Sequence, residues 1–225
     1  MGSMVEFPTN GKRGSGYLAA PAHGAGPAII VIQEWWGLVD HVKDVADRFA
    51  AEGFVALAPD MYHGETATSP DEAGKLMMAL KIDEAEKDLR GGIDYVLSCE
   101  DVTGARVGTV GFCMGGQLSL FAACANAKVG ACVDFYGIHP NVTPDLPSLH
   151  APVLGFFAEN DTFVPPDVAR TLEANLEAAG KTADITVFTG ADHGFFNDTR
   201  PDVYHAEYAA QCWQRMLTFY RHHRG

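Results

Sequence analysis

Cys113 has the sequence surroundings of a reactive thiol. It lies in the run 111–116, Gly-Phe-Cys-Met-Gly-Gly, after a β-branched stretch and before a helical pattern. A strand that turns sharply into a helix needs small residues on both sides of the turn, and Gly111 and Gly115 supply them. The turn holds its central side chain at a helix N-terminus, where free N–H groups favour a thiolate. The sequence therefore predicts a cysteine nucleophile.

Two further side chains follow predicted strand ends downstream of Cys113. Asp161 follows a strand that ends near Ala158, and His193 follows the predicted last strand, which ends near Thr189. A cysteine nucleophile needs a base and an acid that orients the base. The carboxyl ends of parallel strands lie at one edge of a sheet, where such sheets bind ligands. The three residues are therefore predicted to form a catalytic triad.

Other residues compete for these roles. Asp161 could only begin the turn into the helix predicted from Pro165. Asp192 is the rival acid, but it directly precedes His193 and cannot easily reach behind the imidazole. His139 also follows a strand end and is a secondary candidate. Three cysteines in apolar patterns are interpreted as core residues: Cys124, Cys132 and Cys212.

Strand and helix patterns alternate along almost the whole chain, which indicates a parallel sheet covered by helices. Strands are predicted at 5–8, 17–20, 28–33, 54–59, 106–112, 129–136, 152–158 and 185–189. Helices are predicted at 40–52, in two segments within 70–98, and at 114–126, 165–179 and 202–223. About seven to eight strands with the turn at Cys113 predict an α/β-hydrolase fold with helices on both faces of a mostly parallel sheet.

Glu34 ends the predicted buried strand at 28–33. A carboxylate that enters a pocket is costly without a partner, and the alternative is a surface charge at a strand end. In this fold the same strand end supplies one N–H of the oxyanion hole, and the residue after the nucleophile supplies the other. The backbone amides of Trp35 and Met114 are therefore the predicted oxyanion hole.

Composition restricts the class of protein. The chain has 225 residues, of which 47% are hydrophobic and 20% charged, which suits one soluble domain. Residues 1–3 before Met4 are interpreted as a cloning remnant, so the domain is predicted at 4–225. The formal net charge of −13 argues against partners such as nucleic acid or an anionic membrane. The N-terminus has no apolar signal core, which favours the cytoplasm. The five cysteines are odd in number and lack the spacing of a metal site, which favours free thiols and no bound metal.

Six motifs together resemble those of the dienelactone hydrolase (carboxymethylenebutenolidase) family. They occur in the family's order and span nearly the whole chain. The motifs are Gln33-Glu34-Trp35-Trp36-Gly37, Ala58-Pro59-Asp60-Met61-Tyr62, Gly111-Phe112-Cys113-Met114-Gly115-Gly116, Asp134-Phe135-Tyr136-Gly137, Asn160-Asp161-Thr162-Phe163-Val164-Pro165 and His193-Gly194-Phe195. The resemblance implies hydrolysis of small ester or lactone bonds through a cysteine acyl-enzyme, with no metal or organic cofactor.

The resemblance also implies roles that spacing does not reveal. In the family the glutamate at the position of Glu34 pairs with the resting cysteine until substrate displaces it, and the thiolate then turns toward the histidine. Substrate contacts carry over to Trp35, Tyr136 and Phe163.

Two family arginines that hold a substrate carboxylate are absent. Their positions are taken by His63 and Asn197, and Arg200 is the nearby substitute. Without a bidentate guanidinium the pocket loses much of its selectivity for carboxylates. We therefore expect dienelactone not to be the best substrate.

Two other functions are compatible with the same residues. An α/β-hydrolase scaffold can bind ligands without turnover. Cys113 could instead be a redox-sensing thiol, which would need a resolving cysteine nearby. The partner predicted for the hydrolase is a small-molecule ester or lactone, with no nucleic acid and no membrane, and the protein is predicted to be a monomer or a weak homodimer.

Overall fold

An eight-stranded sheet flanked by six helices forms the structure, a computed structural model that describes residues 1–9 and 11–223. The strands are β1 (Ser3–Thr9), β2 (Lys12–Ala19), β3 (Gly26–Ile32), β4 (Val55–Pro59), β5 (Val102–Phe112), β6 (Val129–Phe135), β7 (Val153–Ala158) and β8 (Ala183–Phe188). The helices are α1 (Asp40–Ala51), α2 (Pro70–Ala79), α3 (Ile82–Leu97), α4 (Met114–Ala125), α5 (Pro166–Ala178) and α6 (Ala206–His222), with a short 3-10 turn at Leu146–Ser148.

The strand order is β1-β2-β4-β3-β5-β6-β7-β8. The first two pairings are antiparallel, and the strands from β4 to β8 in this order pair in parallel. The carboxyl ends of these six strands therefore meet at one edge, where this class of sheet places its ligand site. The predicted α/β-hydrolase fold is confirmed.

Helices cover both faces of the sheet, so its central strands are buried on both sides. Every residue of β4, β6 and β7 is buried, as parallel sheets require. One face packs against α1 and α6, through residues such as Val45 and Trp213. The other face packs against α3, α4 and α5, through residues such as Leu89, Leu118 and Leu176.

Several element boundaries differ from those predicted. The strand β2 begins at Lys12, because its pairing with β1 continues to the hairpin turn. The strand β1 begins at Ser3, so one residue of the segment set aside as a remnant pairs with Leu18. The predicted start of the last helix at 202 is wrong, because residues 201–203 form a turn in which Tyr204 donates to the carbonyl of Arg200.

Within residues 1–9 and 11–223, no helix has both the length and the hydrophobicity that crossing a membrane requires.

Candidate active site

Cys113 lies at a strained turn between β5 and α4. Its backbone angles are φ 54° and ψ −120°, a region that residues other than glycine adopt only when the surrounding structure enforces it. A Cβ at Gly111 would overlap the backbone of Gly115, and a Cβ at Gly115 would overlap the carbonyl oxygen of Ile32. These close approaches are the physical reason for the two glycines from which the turn was predicted.

Backbone hydrogen bonds fix the turn on three sides. The amide of Cys113 donates to Phe135 at 3.0 Å, while the Cys113 carbonyl accepts from Gly116 at 2.9 Å and from Ile138 at 3.1 Å. The cysteine is 6% exposed. The strand β6 and the loop after it therefore hold the thiol at the edge where the parallel strands end.

His193 and Asp161 form a direct pair. The Nδ1 atom of His193 lies 2.6 Å from Oδ2 of Asp161, whose other oxygen accepts from the amides of Phe163 and Val164 at 2.8 Å each. Asp161 therefore both stabilises the turn that precedes the next helix and orients the imidazole. Its two predicted roles, as a turn residue and as the partner of His193, are compatible. Asp192 has no part in this pair.

The charge environment of His193 favours the imidazolium. Burial alone would lower its pKa, but hydrogen bonds and charge interactions with Asp161 and Cys113 outweigh that effect and raise the pKa of His193 to about 10. Because Cys113 is one of the two groups that raise this pKa, it lies near His193, and the three residues of the predicted triad are close together.

Glu34 is buried and has a partner that was not predicted. The amide nitrogen of Asn197 donates to Glu34 Oε2 at 2.8 Å, and the two residues are 2% and 3% exposed. The amide oxygen of Asn197 accepts from the backbone amide and the hydroxyl of Thr199, so the orientation of this amide is fixed. The resemblance implied a pairing of Glu34 with Cys113, whereas in this structure the hydrogen-bond partner of Glu34 is Asn197 and Cys113 contributes to the raised pKa of His193.

Aromatic rings surround the imidazole. The ring centroids of Tyr136 and Phe163 lie 4.8 Å and 5.1 Å from that of His193, and the Trp35 ring lies 6.1 Å from Phe163. Tyr136 is fully buried at φ 41°, and its burial, with the nearby Glu34 and Cys113 charges, raises the pKa of the phenol. The three predicted substrate contacts therefore lie together, and the side chain of Phe163 is exposed.

The candidates for binding a substrate carboxylate are engaged elsewhere. Arg200 lies beside Gly194 and pairs with Asp202 at 3.3 Å. His63 Nε2 lies 3.2 Å from Asp88, and Asn197 is occupied by Glu34. The two residues at the family positions and the nearby substitute Arg200 therefore all have partners other than the thiol in this arrangement.

The predicted oxyanion donors come from adjoining segments. Met114 is the first residue of α4, so its N–H lacks an acceptor within the helix. The first turn of α4 packs directly on the end of β3, because a Cβ at Gly115 would overlap the carbonyl oxygens of Ile32 and Gln33. Trp35 follows that strand end, next to Glu34.

The segment after β4 flanks Trp35 and Trp36. The amide of Ala67 donates to the Trp36 carbonyl at 2.9 Å, and a Cβ at Gly74 in α2 would lie 4.0 Å from the Trp35 ring. His139 supports this segment, because its Nε2 lies 3.2 Å from the Met77 carbonyl oxygen. The secondary candidate His139 therefore has a structural contact, and it also accepts from the amide of Asn141.

Across residues 1–9 and 11–223, no cluster of three or more His, Cys, Asp or Glu side chains has the arrangement of a metal site.

Comparisons with known proteins agree with the fold and the motifs. The model of the dienelactone hydrolase family matches residues 15–224. A relative from Aquifex pyrophilus named "Protein usf" is 38% identical over 98% of each chain. A relative from Aquifex aeolicus named "Putative carboxymethylenebutenolidase" is 37% identical, again over 98% of each chain.

A solved structure is also similar along the whole chain. It is described as a "Putative Dienelactone Hydrolase" from Klebsiella pneumoniae, and it superimposes with a TM-score of 0.89 at 30% identity over 98% of each chain. The family match, the full-length relatives and the shared fold lead to one conclusion. The chain belongs to the dienelactone hydrolase family.

Proposed function

We propose that this protein hydrolyses small ester or lactone bonds with Cys113 as the nucleophile and a covalent acyl-enzyme as the intermediate. Membership of the dienelactone hydrolase family supports ester or lactone hydrolysis. The observation that carries the finer proposal is the hydrogen-bonded pair of Asp161 and His193, which lies near Cys113 at the carboxyl edge of the sheet.

The first half of the reaction acylates the thiol. Asp161 accepts from Nδ1–H of His193, which leaves Nε2 to take the proton of Cys113. The thiolate sulfur attacks the substrate carbonyl carbon, and the amides of Trp35 and Met114 stabilise the oxyanion. The tetrahedral intermediate collapses as the carbon–oxygen bond of the leaving group breaks. His193 returns the proton to the departing alkoxide, and the acyl group stays on sulfur.

The second half releases the product. His193 takes a proton from water, and the hydroxide attacks the thioester carbonyl. When the carbon–sulfur bond breaks, the carboxylic acid leaves, and the imidazolium returns its proton to the thiolate. The protein is regenerated without net gain or loss of protons.

The surroundings of the thiol favour uncharged substrates. Trp35, Tyr136 and Phe163 present aromatic surface beside His193. Glu34 and Asp161 are buried carboxylates of the site, and Arg200, the arginine expected nearby, is paired with Asp202. A substrate carboxylate would meet this negative charge without Arg200 to balance it. We therefore expect neutral aryl and alkyl esters to react faster than carboxylated lactones.

The decisive experiment compares Cys113→Ala with Cys124→Ala, a matched change at a half-buried cysteine on α4, the helix that follows Cys113. We expect Cys113→Ala to lose hydrolysis of p-nitrophenyl acetate and Cys124→Ala to keep it. Mass spectrometry after a rapid acid quench should find an acetyl group on the peptide that contains Cys113. Full activity of Cys113→Ala would overturn the proposal.

The same preparations separate the other two functions. Binding of esters without turnover by the unaltered protein would support a binding scaffold. Rapid peroxide oxidation of Cys113 to a disulfide, with no esterase activity, would support a redox sensor.

A further inference from the structure

Asp134 is a fully buried carboxyl group that the proposed reaction does not use. It lies on β6, and its sheet neighbours Gly111 of β5 and Gly155 of β7 have no side chains beside it. A Cβ at Gly116 or at Gly137 would overlap Asp134 Oδ1. The carboxyl group is therefore packed beneath the first turn of α4, the helix that begins directly after Cys113.

Neither carboxyl oxygen of Asp134 has a hydrogen-bond partner of good geometry among the described residues. Burying a carboxylate in this way is costly, so the neutral acid is favoured. Burial raises the pKa of Asp134 to about 7, although the nearby amide of Gly137 acts in the opposite direction. The group therefore changes charge in the range in which a cysteine hydrolase works.

The first turn of α4 has no other acidic side chain. It contains no Asp or Glu, and Cys113 provides no side-chain cap. The free N–H groups of such a turn carry a partial positive charge that stabilises a nearby anion. A carboxylate beneath this turn adds a negative charge that offsets the positive potential above it. An ionised Asp134 and a thiolate at Cys113 would therefore disfavour each other.

We infer that Asp134 sets the reactivity of Cys113, because an ionised Asp134 offsets the positive potential that the start of α4 offers to the thiolate. With Asp134 neutral, the turn stabilises the thiolate and the oxyanion fully. With Asp134 ionised, both are disfavoured, and the nucleophile weakens. Asp134 is thus a positioning residue that acts through α4, and this inference rests on the proposed nucleophilic role of Cys113.

Other titratable groups bear on the same two sites. The residues packed against Asp134 Oδ1 are Gly116 and Gly137, and Cys132 lies two residues earlier on the same face of β6. The titratable groups that interact with Cys113 are Tyr62, Tyr136 and His193, and Glu34 interacts in turn with Tyr136. The pKa of His193 lies near 10, so its titration is separate from that of Asp134.

The test measures alkylation of Cys113 by iodoacetamide, which reports the thiolate without requiring turnover. Rates are read by mass spectrometry for the unaltered protein, Asp134→Asn and Asp88→Asn. Asp88 is a matched control, since it is also buried with a raised pKa but lies on α3 against His63. We expect Asp134→Asn to react at the unaltered rate near pH 6 and on the order of tenfold faster near pH 8. Asp88→Asn should match the unaltered protein at both.

A constant ratio of rates for Asp134→Asn across this range would overturn the inference. If Asp134→Asn does not fold, the test uses the unaltered protein. The pH profile of its Cys113 alkylation rate should show an added inflection near pH 7, and a single titration step would refute the inference. The proposed function is tested separately by the esterase assay of Cys113→Ala. Because alkylation does not depend on catalysis, failure of the inference and failure of the proposed function give different results.

Discussion

Replacing Asp161 with Asn removes one negative charge behind His193 and changes little else. The amide oxygen of Asn can still accept from the amides of Phe163 and Val164, which now donate to Asp161 at 2.8 Å. The amide nitrogen would then face Nδ1 of His193, which lies 2.6 Å from the carboxylate. Two donors cannot face each other, so Nδ1 would lose its hydrogen and Nε2 would carry it.

The structure sets the size of the effect. The rise in the pKa of His193 from 6.5 to about 10 favours the imidazolium by about 5 kcal/mol, of which Asp161 and Cys113 both supply a part. A hydrogen on Nε2 also leaves no lone pair to take the proton of Cys113. We expect kcat for p-nitrophenyl acetate to fall by about 10³- to 10⁴-fold, the loss seen when a triad histidine takes the wrong tautomer.

The matched control is Asp192→Asn, which removes the same charge from the residue next to His193. We expect Asp192→Asn to keep kcat within about threefold of the unaltered protein, because a half-buried carboxyl outside the triad contributes little. Thermal unfolding of both variants should show that the fold is kept. Near-normal kcat in Asp161→Asn, or an equal loss in Asp192→Asn, would refute the assignment of the acid.

Three further predictions concern stability, measured by urea unfolding. Asn197→Ala should destabilise the protein by about 2 kcal/mol or more, because buried Glu34 loses its donor; an unchanged midpoint would contradict this. Gly74→Ala should stabilise it by about 0.5–1 kcal/mol, because the new methyl group meets only the Trp35 ring at 4.0 Å and alanine favours the helix; a loss of stability would mean that α2 cannot accept the methyl. Asp134→Asn should have little effect on stability near pH 4 but should stabilise the protein by up to about 4 kcal/mol near pH 8. The reason is that the Asp134 carboxyl keeps its proton in the folded protein up to a pKa of about 7, whereas the unfolded chain releases it near 3.8. Equal gains at both pH values would refute this argument.

The sequence was sufficient to predict the order of the elements and the edge that carries the site. The signals were local: glycines around Cys113, and polar residues directly after the strands that precede Asp161 and His193. These signals hold because a tight strand-to-helix turn tolerates few residue types. The alternation of strands and helices added the fold class, and the resemblance of six motifs added the family.

Other parts depend on contacts that no local pattern encodes. Asn197 was noted only as a missing arginine, yet it holds Glu34, a residue 163 positions away in the chain. Gly116 was given no role of its own from the sequence, whereas in the structure the buried Asp134 carboxyl and the Phe135 carbonyl oxygen exclude a side chain there. Tertiary packing determines both, so periodicity and spacing could not reveal them.

The bond between Glu34 and Asn197 has a consequence for folding. It joins β3 to the loop after β8, and it forms only when the strands between them have paired. Contacts of such sequence separation close late, because the entropy of a long loop is lost before the contact repays it. Refolded chains should therefore regain helical circular dichroism well before they regain esterase activity, and a fragment that lacks β8 should never assemble the site.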